Sequence, residues 1–358
     1  MKDRIERLMN CMEEQKTDAV LVTDGCNMRY LSGFSGETGY LYISGKRKVI
    51  LTDSRYTTQA KEESREFEVQ EISQSAGYQE LIGALMRADE IRSLGFEDQV
   101  MIYADAVKLQ KGLPRAEWKG LRGALDELRL IKSEEELACI ARAEQIGDEA
   151  FSHILNVLHA GMTELEVAVE LESYMKRNGA SALAFDTIAA SGIHSAMPHA
   201  TPSGKKLENG DFLTMDYGCK YKGYCSDMTR TVVIGKADSR QREIYQVVLE
   251  AQQAALAVIR EGITGAEVDR VARDRIRDAG YGEYFGHGLG HSVGLFIHEE
   301  PRLSPSGHTV LKKGMTETVE PGIYIPGVGG VRIEDLVEVT QEGYRNLTSS
   351  PKQLIEIS

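Results

Sequence analysis

The sequence predicts an α/β protein of two domains, in which a mixed-sheet domain precedes a domain of longer helices and strands. Short apolar runs of strand length alternate with amphipathic helical segments in the N-terminal part of the chain. Longer helical patterns begin near residue 129. The 358 residues, with 42% hydrophobic and 27% charged side chains, are enough for two ordinary globular domains.

The N-terminal segments fit a layered domain with a mixed sheet. Apolar side chains recur on one face of the first helical segment, with charges opposite. A Gly45-Lys46 turn joins two of the strand-like runs that follow. The predicted elements are helices over residues 3–15 and 77–87, and strands over residues 18–23, 39–44, 48–52 and 92–96.

Two longer helices are expected to open the second domain. Residues 129–150 have helical periodicity, with Ser133 as the N-cap and Glu136 as its capping-box partner. A second helix is predicted from about residue 163 to 177. Because no linker-like stretch separates the N-terminal segments from these longer helices, we expect closely packed domains. They are predicted to span residues 1–127 and 128–358.

Charge and composition exclude several classes of function. The formal net charge of −13 disfavours a nucleic-acid partner, which requires a basic surface. No apolar stretch is long enough for a membrane span, and the charged N-terminal segment lacks the apolar core of a secretory signal. We therefore expect a cytoplasmic protein without a membrane partner. The odd number of irregularly spaced cysteines argues against both disulfides and a thiolate metal site.

The first group of candidate functional residues lies in a predicted acidic hairpin over residues 212–231. Its halves have strand composition and meet at a tight Lys-Gly turn, so we expect Tyr221 to pair with Tyr224. In that register Asp216 and Asp227 project from the same face, within reach of one ion.

A second acidic pair, Glu320 and Glu334, has a similar pattern. In each case a strand ends in an acid, small residues form a turn, and the returning strand has a second acid. The acids are eleven residues apart in the first pair and fourteen in the second. The sequence therefore predicts an internal duplication within the second domain.

Four carboxylates in apolar settings indicate a metal site, because like charges so close cannot all stay ionised without a cation. Oxygen ligands with one imidazole suit two divalent ions such as Mn²⁺ or Co²⁺ better than a thiolate zinc site. His291 is the expected nitrogen ligand, since the glycines before it let the backbone approach closely.

This ordered set resembles the five metal ligands of the pita-bread metallopeptidases, which include methionine aminopeptidase, aminopeptidase P and prolidase. The flanking strings MDYG, SDMTRT, GHGLGHSVGL, VEPGIY and VRIED are similar to that family's motifs, in the same order. YLSGFSG and LTDSRY resemble the creatinase/prolidase N-terminal domain, which methionine aminopeptidases lack. The resemblance is therefore to the Xaa-Pro branch, and it implies a creatinase-like first domain and a pita-bread catalytic domain with pseudo-twofold duplicated halves.

The resemblance implies a role for each ligand. Asp216 and Asp227 would bind one metal, with Asp216 bridging to the second. His291 and Glu320 would complete the second metal's shell, and Glu334 would bridge both. The nucleophile would be a hydroxide held between the two ions, with Glu320 as the general base for the attacking water.

Other matched positions would face the substrate or orient the ligands. His199 and His298 correspond to histidines that donate to the carbonyl oxygen and the intermediate, and His287 to a third histidine near the proline side. Arg332 resembles an arginine that orients the ligands, and Tyr324 is expected beside it.

Three functions fit this resemblance. The first is a dinuclear-metal peptidase for Xaa-Pro bonds, with Mn²⁺ as the first expected metal, Co²⁺ as the second, and Zn²⁺ also compatible with the ligands. The second is metal-free, creatinase-like hydrolysis of a small C–N bond. The third is peptide binding without catalysis. Relatives of the last two kinds have lost ligands, whereas all five are present here, so we expect the peptidase.

The length of the substrate stays open between two alternatives. An aminopeptidase P removes the first residue from longer Xaa-Pro peptides, whereas a prolidase accepts Xaa-Pro dipeptides. Arg302, four residues after His298, lies where some prolidases anchor the dipeptide's carboxylate, although it is equally interpreted as a surface arginine after a proline turn. The resemblance also implies a homodimer acting on short proline-containing peptides.

Overall fold

The computed structural model describes residues 2–358, which form two compact units. The first ends at Arg129 and the second covers Leu130–Ser358. All five cysteines are free thiols, as their irregular spacing predicts. Among the helices of residues 2–358, none has the length and apolar character needed to cross a membrane.

A mixed six-stranded sheet with surrounding helices forms the first unit, which confirms the predicted layer fold. Its helices are α1 (Lys2–Gln15), α2 (Gly25–Ser32), α3 (Thr57–Glu63), α4 (Tyr78–Asp89), α5 (Tyr103–Gly112) and α6 (Ala124–Glu127). Its strands are β1 (Ala19–Val22), β2 (Tyr40–Ser44), β3 (Lys48–Thr52), β4 (Glu68–Glu71), β5 (Ser93–Phe96) and β6 (Glu117–Gly120). They lie in the order β4-β3-β2-β1-β5-β6, with β2 antiparallel to both neighbours and the other pairs parallel.

The second unit contains two pairs of long helices, each followed by strands. The helices are α7 (Glu134–Ile154), α8 (Glu164–Arg177), α9 (Ser239–Leu256) and α10 (Gly265–Asp278). The predicted capping box of Ser133 and Glu136 is present, and α7 starts at residue 134, directly after this N-cap. Ser133 has an extended backbone (ψ 164°), so the helical periodicity before it does not form helix.

The strands of the second unit build small sheets around these helices. They are β7 (Ala182–Leu183), β8 (Ile188–Ser191), β9 (Phe212–Tyr217), β10 (Cys219–Tyr221), β11 (Tyr224–Cys225), β12 (Met228–Ile234), β13 (Gly290–Ser292), β14 (Glu299–Leu303), β15 (Thr316–Val319), β16 (Gly322–Ile325), β17 (Gly329–Arg332), β18 (Asp335–Val339), β19 (Tyr344–Asn346) and β20 (Glu356–Ile357). One buried apolar cluster joins α7 and α8 to β9 and β12, and another joins α9 and α10 to β15, β17 and β18. The duplicated arrangement is therefore visible in the packing.

Both acidic segments fold as antiparallel hairpins. In the first, Tyr221 pairs with Tyr224 as predicted, and Lys222 and Gly223 both have positive φ (49° and 87°), as a two-residue hairpin turn of this twist requires. The same register continues into β9 and β12, where Asp216 lies opposite Thr229. In the second, β16 pairs with β17 at the tip and β15 with β18 at the base.

Candidate metal centre

The five predicted ligands converge on one point between the two hairpins. Carboxylate oxygens of Asp216, Asp227 and Glu334 lie within 4.8 Å of one another. The Nε2 atom of His291 lies 3.5 Å from Oδ2 of Asp227 and 3.4 Å from Oε1 of Glu320. Residues up to 118 positions apart in the sequence thus form a single cluster of four carboxylates and one imidazole.

The first hairpin presents Asp227 at a break in its hydrogen-bond ladder. The amide of Asp227 donates to Oε2 of Glu144 on α7 (3.2 Å) instead of to the opposite strand. Gly218 lies so close to Ser226 that a Cβ atom on Gly218 would be 1.9 Å from the carbonyl oxygen of Ser226. Glycine is therefore required at this crossing. The break turns the Asp227 carboxylate toward the cluster while its amide stays satisfied.

The second hairpin has a corresponding break between its tip and its base. Counting inward from the Val319–Asp335 pair, Glu320 and Glu334 lie opposite each other where the ladder opens. Their amides donate to other elements, that of Glu320 to the carbonyl of Leu289 (2.9 Å) and that of Glu334 to the carbonyl of Thr229 (3.1 Å). These bonds join the second hairpin to β12 and to the chain before β13.

Burial governs the protonation of these carboxyl groups. Desolvation and the charges of the neighbouring carboxylates raise the pKa of Asp227 and of Glu334 well above the ordinary range. Desolvation likewise raises the pKa of Glu320 to about 7, although the nearby Arg332 guanidinium opposes the shift. Without a cation, the cluster therefore retains protons at neutral pH.

Unpartnered ligand atoms make the cluster suitable for metal ions. Oδ1 of Asp216 and Oε1 of Glu334 are buried and accept no hydrogen bond from any group in residues 2–358. Desolvation lowers the pKa of His291 to about 3, so its ring is neutral. Its Nδ1–H donates to the carbonyl of Ser292 (3.1 Å), which leaves the Nε2 lone pair directed at the carboxylates. This donor set fits divalent cations.

Arg332 connects the ligands to a hydrogen-bonded chain. Its Nη2 donates to Oδ2 of Asp216 (2.6 Å), its Nε to Oγ1 of Thr229 (3.0 Å), and its Nη1 to the hydroxyl of Tyr324 (2.8 Å). The Tyr324 hydroxyl lies 2.9 Å from Nε2 of His287, whose Nδ1 lies 2.7 Å from the carbonyl of Gly288. His287 therefore donates through Nδ1 and accepts from Tyr324 through Nε2, so both ring nitrogens are engaged.

Several polar groups of the site have no recognisable sequence signal. The hydroxyl of Thr229 donates to Oε2 of Glu334 (2.6 Å), and that of Thr318 donates to Oε1 of Glu320 (3.0 Å). Glu144 is fully buried behind Asp227; desolvation and the charge of Asp148 raise its pKa to about 8. An acid inside a helical pattern is ordinarily solvated, so only its packing reveals this position.

An open cavity of about 760 Å³ contains the cluster and the predicted substrate-facing residues. His199, His287, His298 and Arg302 all line it. The rings of His298 and His291 meet edge to face, 4.6 Å between centroids. Partial desolvation and the positive charge of Arg302 lower the pKa of His298.

Three other side chains of metal-ligating types, His194, Cys219 and Cys225, have different surroundings. His194 lies beside the carboxylate of Glu164 (Nδ1 to Oε1, 3.1 Å) rather than among the ligands. Cys219 and Cys225 are buried, their thiols lying against the carbonyls of Ala143 and Leu295. Neither thiol belongs to the acidic cluster found in residues 2–358.

Comparisons with known protein families cover both units. Residues 138–341 match the model of metallopeptidase family M24. Residues 4–131 match the creatinase/prolidase N-terminal domain.

Individual relatives align over nearly their whole length. The Xaa-Pro dipeptidase of Pyrococcus horikoshii is 40% identical, over 99% of this chain and 99% of the relative. The structure of an Xaa-Pro dipeptidase from Bacillus anthracis superimposes with a TM-score of 0.95 at 44% identity, covering 99% of both chains. An X-Pro aminopeptidase from Thermotoga maritima superimposes with a TM-score of 0.92 at 37% identity, covering 98% of this chain and 99% of its own. With this coverage, the chain belongs to metallopeptidase family M24 and has a creatinase/prolidase N-terminal domain.

Proposed function

We propose that this protein is a metal-dependent peptidase that hydrolyses the Xaa-Pro bond of short peptides. The observation that carries the proposal is the meeting of four carboxylates and one neutral imidazole at one point of an open cavity, with buried oxygens that lack partners. Relatives named Xaa-Pro dipeptidase and X-Pro aminopeptidase align over the whole chain, which supports the choice of bond.

Two divalent ions per chain, first Mn²⁺ and second Co²⁺, are proposed for the cluster. Asp216 and Asp227 would hold one ion, His291 and Glu320 the other, and Glu334 would bridge them, with Asp216 also shared. Ions in these positions would supply Lewis-acid chemistry, polarising the scissile carbonyl and acidifying water. The orphan oxygens of Asp216 and Glu334 support their assignment as bridging ligands.

The remaining residues are assigned by the proton each can give or take. Glu320 lies within the cluster with one oxygen held by the hydroxyl of Thr318, and is proposed as the base that accepts a proton from the attacking water. His199 and His298 line the cavity and are exposed, so they can donate to the carbonyl oxygen of a bound peptide. His287 has both nitrogens engaged within the protein and would instead hold Tyr324, and through it Arg332, in place.

We propose a dipeptide as the preferred substrate, with Arg302 as the anchor for its C-terminal carboxylate. The guanidinium lines the cavity and is partly exposed, and its Nε lies 3.5 Å from Oε1 of Glu300. That exposed ion pair is weak enough to be exchanged for a substrate carboxylate. Cleavage of longer Xaa-Pro peptides is the second candidate activity, because an X-Pro aminopeptidase is among the similar structures.

The choice between these substrates is tested with Ala-Pro and Ala-Pro-Ala-amide. Hydrolysis confined to Ala-Pro, with a KM that rises about tenfold or more in Arg302→Met, would agree with a dipeptidase. Efficient cleavage of the amide, unaffected by the Arg302 substitution, would assign the protein to the aminopeptidases instead.

The metal mechanism is tested with Asp227→Asn. The variant removes one ligand charge while keeping the side chain's shape, so we expect a folded protein that binds fewer ions and has no measurable hydrolysis. The unmodified protein should bind about two Mn²⁺ ions per chain. Retained activity in the variant would disprove the assignment of Asp227.

We also propose that the enzyme works in the cytoplasm as a homodimer. Sedimentation equilibrium at micromolar concentration should give twice the chain mass of 39.6 kDa. A single monomeric species over that concentration range would overturn the oligomeric part of the proposal.

A further inference from the structure

One buried carboxylate fastens both ends of the loop that carries His199. Glu164, the first residue of α8, is fully buried, and its Oε1 accepts the amide and the hydroxyl of Ser191 (both 2.8 Å) where the loop begins. Its Oε2 accepts the hydroxyl (2.6 Å) and the amide (3.2 Å) of Ser203 where the loop ends. His194, within the loop, lies 3.1 Å from Oε1 of the same carboxylate.

His199 depends on this loop for its position. Its imidazole forms no hydrogen bond with any group of the described chain, residues 2–358, although it lines the cavity. The first part of the loop is also held by Ser195, whose hydroxyl accepts the amide of Gly330 (2.8 Å). The second part has one internal backbone bond, from the amide of Ala200 to the carbonyl of Met197 (3.2 Å). The end nearer His199 is held at Ser203 by the carboxylate of Glu164 and by the amide of Leu165, which donates to the carbonyl of Ser203 (3.1 Å). Glu164 is thus the side-chain anchor at this end.

We propose that Glu164 is a positioning residue of the peptidase, which closes the loop of residues 191–203 and thereby fixes His199 against the scissile carbonyl. This inference rests on the proposed function, since it assumes that His199 contacts the peptide. Glu164 itself does not line the cavity and touches the substrate only through the loop.

A carboxylate is the side chain that this arrangement needs. Two of its donors are backbone amides, which cannot reverse their direction, and they approach different oxygens. A glutamine would replace one oxygen with an NH₂ group, and one end of the loop would then face a donor. Five hydrogen bonds to the buried group outweigh the desolvation that opposes its charge, and the pKa of Glu164 stays below the ordinary value.

The test compares Glu164→Gln with Glu166→Gln in the metal-loaded, full-length protein. Glu166 lies on the same helical turn but is exposed and bonds only to Thr163 in its capping box, a role that glutamine also fills. We expect Glu164→Gln to lower kcat for Ala-Pro about tenfold to a hundredfold, because small misplacements of a catalytic group are costly. Bound Mn²⁺ should be unchanged, and Glu166→Gln should behave as the unmodified enzyme.

A double-mutant cycle with His199→Ala separates positioning from general damage. If Glu164 acts through His199, its substitution should change kcat less than about twofold once His199 is absent. Amide exchange should also be faster over residues 192–202 in Glu164→Gln, and unchanged over β9. Additive effects of the two substitutions, or unchanged loop exchange, would overturn the proposal. An unmodified, metal-loaded enzyme that fails to cleave any Xaa-Pro substrate would instead refute the proposed function, while loop exchange would still report the anchoring.

Discussion

At the scale of single residues, three of the four clustered acids each have a different hydrogen-bond donor outside the cluster. Asp216 is paired with Arg332, Glu334 accepts the hydroxyl of Thr229, and Glu320 accepts that of Thr318. Each of these three carboxylates thus has one oxygen fixed, while Asp216 and Glu334 keep a buried oxygen without a hydrogen-bond partner in residues 2–358. A carboxylate with one oxygen fixed by a hydrogen bond and the other oxygen free to accept is typical of a preformed cation site.

The hydroxyl of Thr229 offers a direct test of this arrangement. Thr229→Val keeps the side chain's size but removes the donor to Glu334, so we expect Mn²⁺ affinity to fall about tenfold to a hundredfold. The matched control is Thr231→Val on the same strand, whose hydroxyl bonds to the carbonyl of Arg332 and to Thr214 rather than to a carboxylate. Calorimetric titration of both variants measures the difference; equal losses would show that the hydroxyl of Thr229 has no particular role.

The raised pKa values predict how the metal-free protein responds to pH. Desolvation raises the pKa of Glu320 to about 7 and of Glu144 to about 8, so the native state holds protons that the unfolded chain has released. Stability must therefore fall as pH rises from 6.5 to 8.5. His287 and His291, with pKa values lowered by burial to about 4 and about 3, have the opposite effect, but only below their unfolded pKa of about 6.5.

Urea unfolding of the chelator-treated protein checks this sign. The midpoint should decrease from pH 6.5 to pH 8.5, and the decrease should be smaller with saturating Mn²⁺, because ions take the place of protons on Glu320. A midpoint that rises across this interval without metal would contradict the assignment of raised pKa values.

At the scale of elements, the ligands lie where β ladders are interrupted. Asp227 leaves its ladder to donate to α7, and Glu320 and Glu334 lie opposite each other between β15–β18 and β16–β17. Pro321, which has no amide hydrogen, makes continuous pairing impossible immediately after Glu320. The interruptions free backbone groups to join separate hairpins, which brings distant side chains to one site.

The β13–β14 pair contains His291, with β14 starting directly after His298, and a buried ion pair packs against it. The ammonium of Lys132 lies 3.2 Å from Oε2 of Glu299 and donates to the hydroxyl of Ser292 (2.8 Å). The two charged side chains are only 1% and 5% exposed. The register of β13 and β14 shifts at this point, between His291 and Ser292.

Removing the cation of that pair should destabilise the protein. Lys132→Met leaves the Glu299 carboxylate buried beside an apolar chain, at a cost of about 3–5 kcal/mol in unfolding free energy. Adding Glu299→Leu should recover part of this loss. Lys46→Met, which breaks the exposed pair with Glu90, is the control and should cost less than about 1 kcal/mol. Urea unfolding measures all four proteins, and a small effect in Lys132→Met would argue against the buried pair.

At the scale of the whole molecule, the chemistry belongs to the second unit. All five proposed ligands and every residue lining the cavity lie in Leu130–Ser358. Two large buried apolar clusters, one around each helix pair, also lie entirely within this range. A unit with its own cores is expected to fold independently.

The separated unit is therefore a test at this scale. A fragment of Leu130–Ser358 should fold cooperatively and bind Mn²⁺ with the stoichiometry of the full chain. Circular dichroism during thermal unfolding and a metal titration provide the two measurements. A fragment that is unfolded, or folded without metal binding, would show that the first unit is needed to form the site.

Local sequence patterns predict many of the helices and turns, and they name the candidate site residues that the structure brings together. The capping box at Ser133 and the hairpin turn at Lys222-Gly223 need only neighbouring residues, and the structure has both. The four acids and one histidine could be predicted because their residue types, their order and their flanking motifs are all visible in the linear sequence. Helical periodicity extends back to residue 129, and the N-cap at Ser133 is what places the start of the helix at residue 134.

Tertiary structure alone decided which residues support those ligands. Thr229, Glu144, Glu164 and Lys132 are ordinary in their local sequence, and each becomes significant through distant partners. Thr229 bonds to Glu334, 105 residues away, and Glu144 to Asp227, 83 residues away. Glu164 bonds to residues 27 and 39 positions away, and Lys132 to Ser292, 160 positions away. Whether an acid is solvated or buried depends on what packs over it, and that packing fixes its pKa and its hydrogen bonds. The order of residue types in the sequence therefore identifies the candidate metal ligands. Only the contacts of the folded chain show which residues support those ligands.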